Sequence, residues 1–180
     1  MRLWTIQDED VYNTIIECGK YRCDGSKSNY LESEKFKKAY DWLVEKMEER
    51  MGSAPEGVEY PVWAWPYKPD LRQRKWRNSE KKLVRIEFEI DEKDIFITDF
   101  FKWHFPLNGF LYLDIEDEDE WDDAYRKYCQ LSFEEQEREL KKSWEVCIYE
   151  KLPSDAEKAQ ITFWELNKDQ IKGKPLFITR

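Results

Sequence analysis

Hydrophobic and polar positions change period several times along the chain, and each change marks an element. Residues 2–6 alternate and predict a strand. Asp8 is then placed to cap a helix running to about Cys18, with Val11, Ile15 and Ile16 on one face and Gly19 as its stop. Cys23 to Asn29 is a polar loop. Ser33 caps a second helix that runs to Met51 and is closed by Gly52. Within it Phe36, Tyr40, Leu43 and Met47 repeat at helical spacing and form one stripe. Tyr60 to Trp65 reads as a strand, and Pro61 places it at an edge or a strand start. From Leu83 to Ile90, apolar Val84, Ile86, Phe88 and Ile90 alternate with Arg85, Glu87 and Glu89, so one face is buried and the other wet. Ile95 to Thr98 and Phe110 to Leu113 are predicted as short strands. A helix begins within the acidic stretch that follows and runs to about Cys129, its first-turn carboxylates suiting the helix dipole. Ser132 and Glu135 form a capping box for a helix to about Tyr149, with Phe133, Leu140, Trp144 and Ile148 inward. Gln160 to Leu166 and Leu176 to Thr179 are closing strands.

Strand, two helices, several strands, two helices and closing strands make no regular βαβ alternation. The expected fold is therefore α+β, a mixed or antiparallel sheet with helices packed against it. The length of 180 residues, without repeats or Gly/Ser/Pro linkers, predicts a single domain over 1–180. Apolar residues make up 41 %, enough for a core, and no apolar run approaches the roughly 20 residues of a membrane-spanning helix. The first residues lack a basic segment followed by an apolar one, so no secretory signal is expected. The cysteines, Cys18, Cys23, Cys129 and Cys147, form no C-x-x-C pair and no disulfide framework, which points to the cytoplasm. With His104 the lone histidine, no metal site is predicted.

The net charge of −9 argues against a general nucleic-acid binder, but the charge is unevenly placed. Lys68 to Lys82 is basic through Arg72, Arg74, Lys75, Arg77 and its lysines, whereas Asp114 to Asp123 is almost wholly acidic. Any nucleic-acid contact would go through that local basic loop. No Gly-rich phosphate loop, G-x-S-x-G or H-E-x-x-H motif is present. Nine tryptophans is several times ordinary usage, and most are expected in the core. Trp63 and Trp65 share a strand face. Beside an arginine-rich loop holding Arg72, Arg74 and Trp76, such a face suits a nucleotide or other small anion, the rings stacking a base and the loop holding phosphate. The acidic stretch reads as a solvated helix start that could instead serve a protein contact.

The segments RLWTIQ, CDGSKS, FKKAYDWLVEKMEER, PEGVEYPVWAW, VRIEFEI and QITFWEL together resemble the bacterial and phage family known as domain of unknown function 3841. That likeness spans nearly the whole chain and carries no activity with it, though phage–host conflict is a natural setting. A looser similarity, of layout alone, is to ADP-ribosyltransferase-like folds, whose opening strand and helix and closing strand correspond to Arg2 to Gln7, the helix to Gly19 and Gln160 to Glu165. It implies an NAD-using enzyme acting on nucleic acid or protein. Glu165 would be catalytic, Arg2 would hold phosphate or ribose hydroxyls, Gln160 would position, and Trp63 or Trp65 would stack the nicotinamide. Gln160 and Glu165 are five positions apart, so on one strand only one of them faces the site unless a bulge intervenes. A non-catalytic nucleotide or small-anion binder and a protein-interaction module are the alternatives.

Overall fold

The computed structural model describes residues 1–25, 33–73 and 82–178. Its strands are β1 (Arg2–Asp8), β2 (Lys20–Arg22), β3 (Val62–Ala64), β4 (Leu83–Glu89), β5 (Phe96–Asp99), β6 (Ile148–Tyr149), β7 (Ala159–Phe163), β8 (Glu165–Asn167) and β9 (Ile171–Ile178). The α-helices are α1 (Glu9–Cys18), α2 (Glu34–Met51), α3 (His104–Asn108), α4 (Glu118–Cys129) and α5 (Phe133–Ser143). The fold is α+β, and every strand pair described is antiparallel.

One sheet has the order β1-β4-β9 and another β3-β7-β5-β6, with β2-β8 as a separate pair. Trp4 and Trp65 exchange backbone hydrogen bonds of 3.0 and 2.8 Å, which join β1 to the end of β3 and fold the two larger sheets toward each other. The alternation in β4 turns Val84, Ile86 and Phe88 into that fold, where they meet Leu3, Val62, Ile161 and Phe163, all nearly or wholly buried. Phe88 and Phe163 touch across the gap with ring centroids 5.1 Å apart. Each such side chain contributes about 1.5–3 kcal/mol by leaving water.

The other face of the β3-β7-β5-β6 sheet carries the helices. Ala39, Trp42, Leu43 and Met47 of α2 pack with Phe96, Trp103, Leu140, Trp144, Cys147 and Trp164 in a second, aromatic-rich core. Asp99, at the end of β5, anchors the turn below it. Its carboxylate accepts from the Phe101 and Lys102 amides at 2.9 Å each and from the Tyr149 hydroxyl.

Several elements differ from the sequence expectation. Phe110 to Leu113 is not a strand, because side chains satisfy its backbone: the Tyr112 amide donates to Ser143 Oγ at 3.1 Å, and Trp144 Nε1 donates to the Phe110 carbonyl at 2.9 Å. The helix predicted to Tyr149 ends at Ser143, continues as a 3₁₀ turn over Trp144–Cys147 and becomes β6, which pairs with β5. Phe133, expected inward, is 77 % exposed, whereas Glu137 and Lys141 further along α5 pair with Lys38 and Glu45 of α2. Ile16 is exposed too, α1 burying only Ile15. Gln160 to Leu166 is two strands, broken at Trp164, whose ring enters the helix-side core. Asp8 and Ser33 hold extended N-cap conformations without a side-chain cap bond.

Candidate functional site

The residues singled out in the sequence fall at separate places. Glu165 lies on β8 opposite Arg22 of β2. Its carboxylate accepts from Arg22 Nε at 2.9 Å and from Asn167 Nδ2 at 3.4 Å, with Lys20 Nζ 3.8 Å away. Burial pushes its pKa up, but the Arg22 and Asn167 bonds and the Lys20 and Arg22 charges outweigh it and hold the carboxyl below its ordinary value. It is a well-held, ionised strand-pairing group. Gln160 lies on β7 beside Thr98, whose hydroxyl donates to the Gln160 carbonyl at 3.4 Å. The break at Trp164 puts Gln160 and Glu165 in different sheets, so a single-strand alternation no longer relates them.

Arg2 is on the outer face of the first sheet, 3.4 Å from the Glu87 carboxylate and 3.2 Å from that of Glu89. Trp63 is half-buried against Trp103 and Tyr40, at centroid distances of 5.6 and 6.1 Å, and its Nε1 is buried without a partner among the described residues. A ring so packed serves the core. Trp65 is fixed by its backbone pairing to Trp4. Arg72 forks the Asp70 carboxylate at 2.9–3.1 Å and is otherwise solvated. Arg74 and Trp76 lie outside the described residues. The structure thus brings neither the Trp63–Arg72 pocket nor an Arg2–Glu165 pair into one described cleft.

A different hollow has the properties those residues lack. α4 begins at Asp117, whose side chain accepts from the Glu120 amide at 3.0 Å, and carries Arg126 and Lys127 in its last turn. The Ser132–Glu135 capping box then starts α5, with Ser132 Oγ accepting from the Glu135 amide at 3.3 Å. Ser143, at the end of α5, holds the Tyr112 amide and so pins residues 111–113 alongside both helices. The Tyr112 ring is also wedged edge-on against Phe105 at 5.0 Å, with Lys102 Nζ 5.3 Å from its centre.

These three segments border an open hollow of about 500 Å³, within the range of small-molecule sites. Leu111, Leu113, Tyr128 and Leu131 line it with apolar surface, and Lys127, Arg138 and Lys142 stand around it with one carboxylate, Glu139. Arg138 has a loose contact with Glu139 at 3.6 Å. Lys127 and Lys142 have neither ion pair nor hydrogen bond among the described residues. Burial and the Glu137 charge raise the Tyr128 pKa, so its hydroxyl remains a donor at neutral pH. Two other hollows differ in how their charges are balanced. The one beside Phe96, of about 470 Å³, has Lys46 paired to Glu49 and Glu145 and Arg50 paired to Glu150. The one beside Ile97, of about 570 Å³, also has a cation without a partner among the described residues, Lys151, but Glu92 and Glu150 share its lining, Arg50 bonds Glu150 and Lys93 lies 3.9 Å from Asp91.

Sequence reasoning missed this site. Its one local signal was Arg138 and Lys142, four apart on α5 and so on one edge of the helix.

An antiparallel α+β domain with a cation-rimmed, apolar-lined hollow is the class that fold and site define. The family model described as domain of unknown function (DUF3841) matches residues 2–172, and the chain belongs to that family. Set against the curated proteins and the solved structures, the chain matches none. Among the described residues, no helix is long and apolar enough to cross a membrane.

Proposed function

We propose that the chain is a non-catalytic binding protein for a small anion with an apolar or aromatic body, a nucleotide being one such molecule. The observation that carries this reading is the pairing of an apolar lining with cations that lack partners among the described residues, Lys127 and Lys142. Surface lysines seldom contribute much through exposed ion pairs. Here they border a concave apolar surface, where a ligand's body excludes water and strengthens the contact of its charged end. The body would lie against Leu111, Leu113 and Tyr128, and the anionic end would reach Arg138 and Lys142. Both lysines end helices and so complement the helix dipoles as well. Arg138, in mid-helix, has no such role. Nothing at the hollow is poised as a nucleophile: Ser143 Oγ already donates to the Leu140 carbonyl at 2.7 Å and accepts from Tyr112.

The test is calorimetric titration with AMP, ATP, NAD and an aromatic carboxylate such as naphthoate, for the wild type and for Arg138→Glu/Lys142→Glu. The reading expects saturable binding that weakens with salt and is lost in the double variant. Absence of binding at millimolar ligand, or equal binding by the variant, would remove it. The competing NAD-using reading is checked in the same samples by nicotinamide release, with Glu165→Ala as control. Release that this substitution abolishes would put an enzyme in place of a binder.

A further inference from the structure

α4 presents a face that no described residue covers fully. The helix buries no residue, although its pattern is strongly amphipathic. Trp121, Tyr125 and Tyr128 recur at helical spacing and stack ring over ring. Their centroids are 5.1 and 6.1 Å apart and their planes 14° and 28° from parallel. Tyr125 is 43 % exposed. Such a stripe is what a surface helix ordinarily turns into its own core.

Toward the start of the helix the charge is almost wholly negative, with Arg126 and Lys127 following only in the last turn. Eight of the ten residues from Asp114 to Asp123 are Asp or Glu. Among the described residues, Asp123 is the one carboxylate of this stretch in an ion pair, with Arg126 at 2.6 Å. The first turn of the helix satisfies itself through Asp117, and its remaining carboxylates face solvent.

We propose that this face docks a Lys- and Arg-rich segment of another protein. Two properties of the face select the same partner chemistry. The uncompensated carboxylates attract cations and repel nucleic acid and anionic membrane. The stacked rings offer π faces, over which a guanidinium lies flat while its edge reaches a carboxylate. Arginine therefore fits better than lysine. The face meets the ligand hollow at Tyr128, but neither Trp121 nor Tyr125 lines it, so the variants below leave its lining unchanged.

The probe is a fluorescein-labelled twelve-residue peptide of alternating Arg and Ala, with matching Lys–Ala and Glu–Ala peptides and a labelled DNA duplex, read by anisotropy against the full chain. The Arg peptide is expected to bind, to weaken at least about tenfold between 0.05 and 0.5 M salt, and to exceed the Lys peptide several-fold. Trp121→Ala/Tyr125→Ala should weaken it about tenfold. Trp121→Phe/Tyr125→Phe, which keeps two rings, should retain most of it and guards against a mere loss of helix. Three outcomes would overturn the proposal: no binding of the Arg peptide, binding indifferent to removal of the rings, or tighter binding of the duplex. A self-association in sedimentation that the Ala pair abolishes would also overturn it, assigning the face to a second copy of this chain.

Discussion

α2 and α4 are both patterned helices, and the molecule uses them in opposite ways. α2 sends Ala39, Trp42, Leu43 and Met47 into the aromatic core, where all four are wholly or almost wholly buried. α4 carries an equally regular stripe, Trp121, Tyr125 and Tyr128, and buries none of it. α2 has no side-chain cap bond at its N-terminus, whereas α4 has one from Asp117. Where tertiary packing holds a helix, its cap is dispensable; where it does not, local terms must hold it. A helix of about twelve residues is marginal on its own.

The contrast breaks or stands on measurements of decreasing size. Leu43→Ala should cost about 2–5 kcal/mol in urea unfolding, as expected for a large core truncation. A cost under about 1 kcal/mol would show that the α2 stripe does not support the fold. The second concerns pH. Burial above all, helped by nearby negative groups, raises the Tyr21 hydroxyl, the Cys147 thiol and the Tyr149 hydroxyl to about 12 from ordinary values of 10.0, 9.0 and 10.0. A raised folded-state pKa means the folded form holds its proton more tightly. The associated stability is therefore complete below about pH 9 and is lost as pH climbs toward 12. Midpoints of urea unfolding should fall over that window, and the fall should be shallower for Tyr149→Phe.

Next comes Ser132→Ala, which removes the α5 capping box and should lower global stability by about 1 kcal/mol, because α5 feeds Leu140 into the core. Asp117→Ala removes a comparable cap from α4, yet the urea midpoint should hardly move. Its effect should appear as roughly fivefold faster amide exchange at Glu120 and Trp121. A matching global loss would mean that α4 unfolds with the core. Smallest is Tyr125→Ala, within about 0.5 kcal/mol by the same unfolding measurement. A larger cost would mean that something in the chain covers the ladder.

Much of the fold was legible because it is written in local spacing. The β4 alternation and the Ser132–Glu135 box appear where their residues predict them, and the α2 stripe does so in part, Leu43 and Met47 being buried while Phe36 and Tyr40 are half-buried and Ala39 and Trp42 complete the inward face. Misread elements have non-local causes. Phe110 to Leu113 has strand-like residues, but side chains more than thirty positions away take its backbone bonds. β2 is three residues long and exists through its pairing with β8. The candidate site was less legible. Trp63 offers a stacking face by strand alternation, and the same aromatic surface packs with Tyr40 and Trp103. Glu165 stands on a closing strand, and its carboxylate is held by Arg22, 143 residues earlier. The hollow at Tyr128 draws on three segments, none of which carries a motif.

By itself the sequence determined the α+β character with a mixed or antiparallel sheet, the inward face of β4, part of that of α2, and the charge split between the basic loop and the acidic α4. Those properties depend on residues two to four positions apart, or on composition alone. Tertiary structure decided where β7 and β8 part, which carboxylates found cations, and which apolar stripe was buried. Each depends on which distant surface arrives opposite, and a helix pattern marks the side that can bury without naming what covers it.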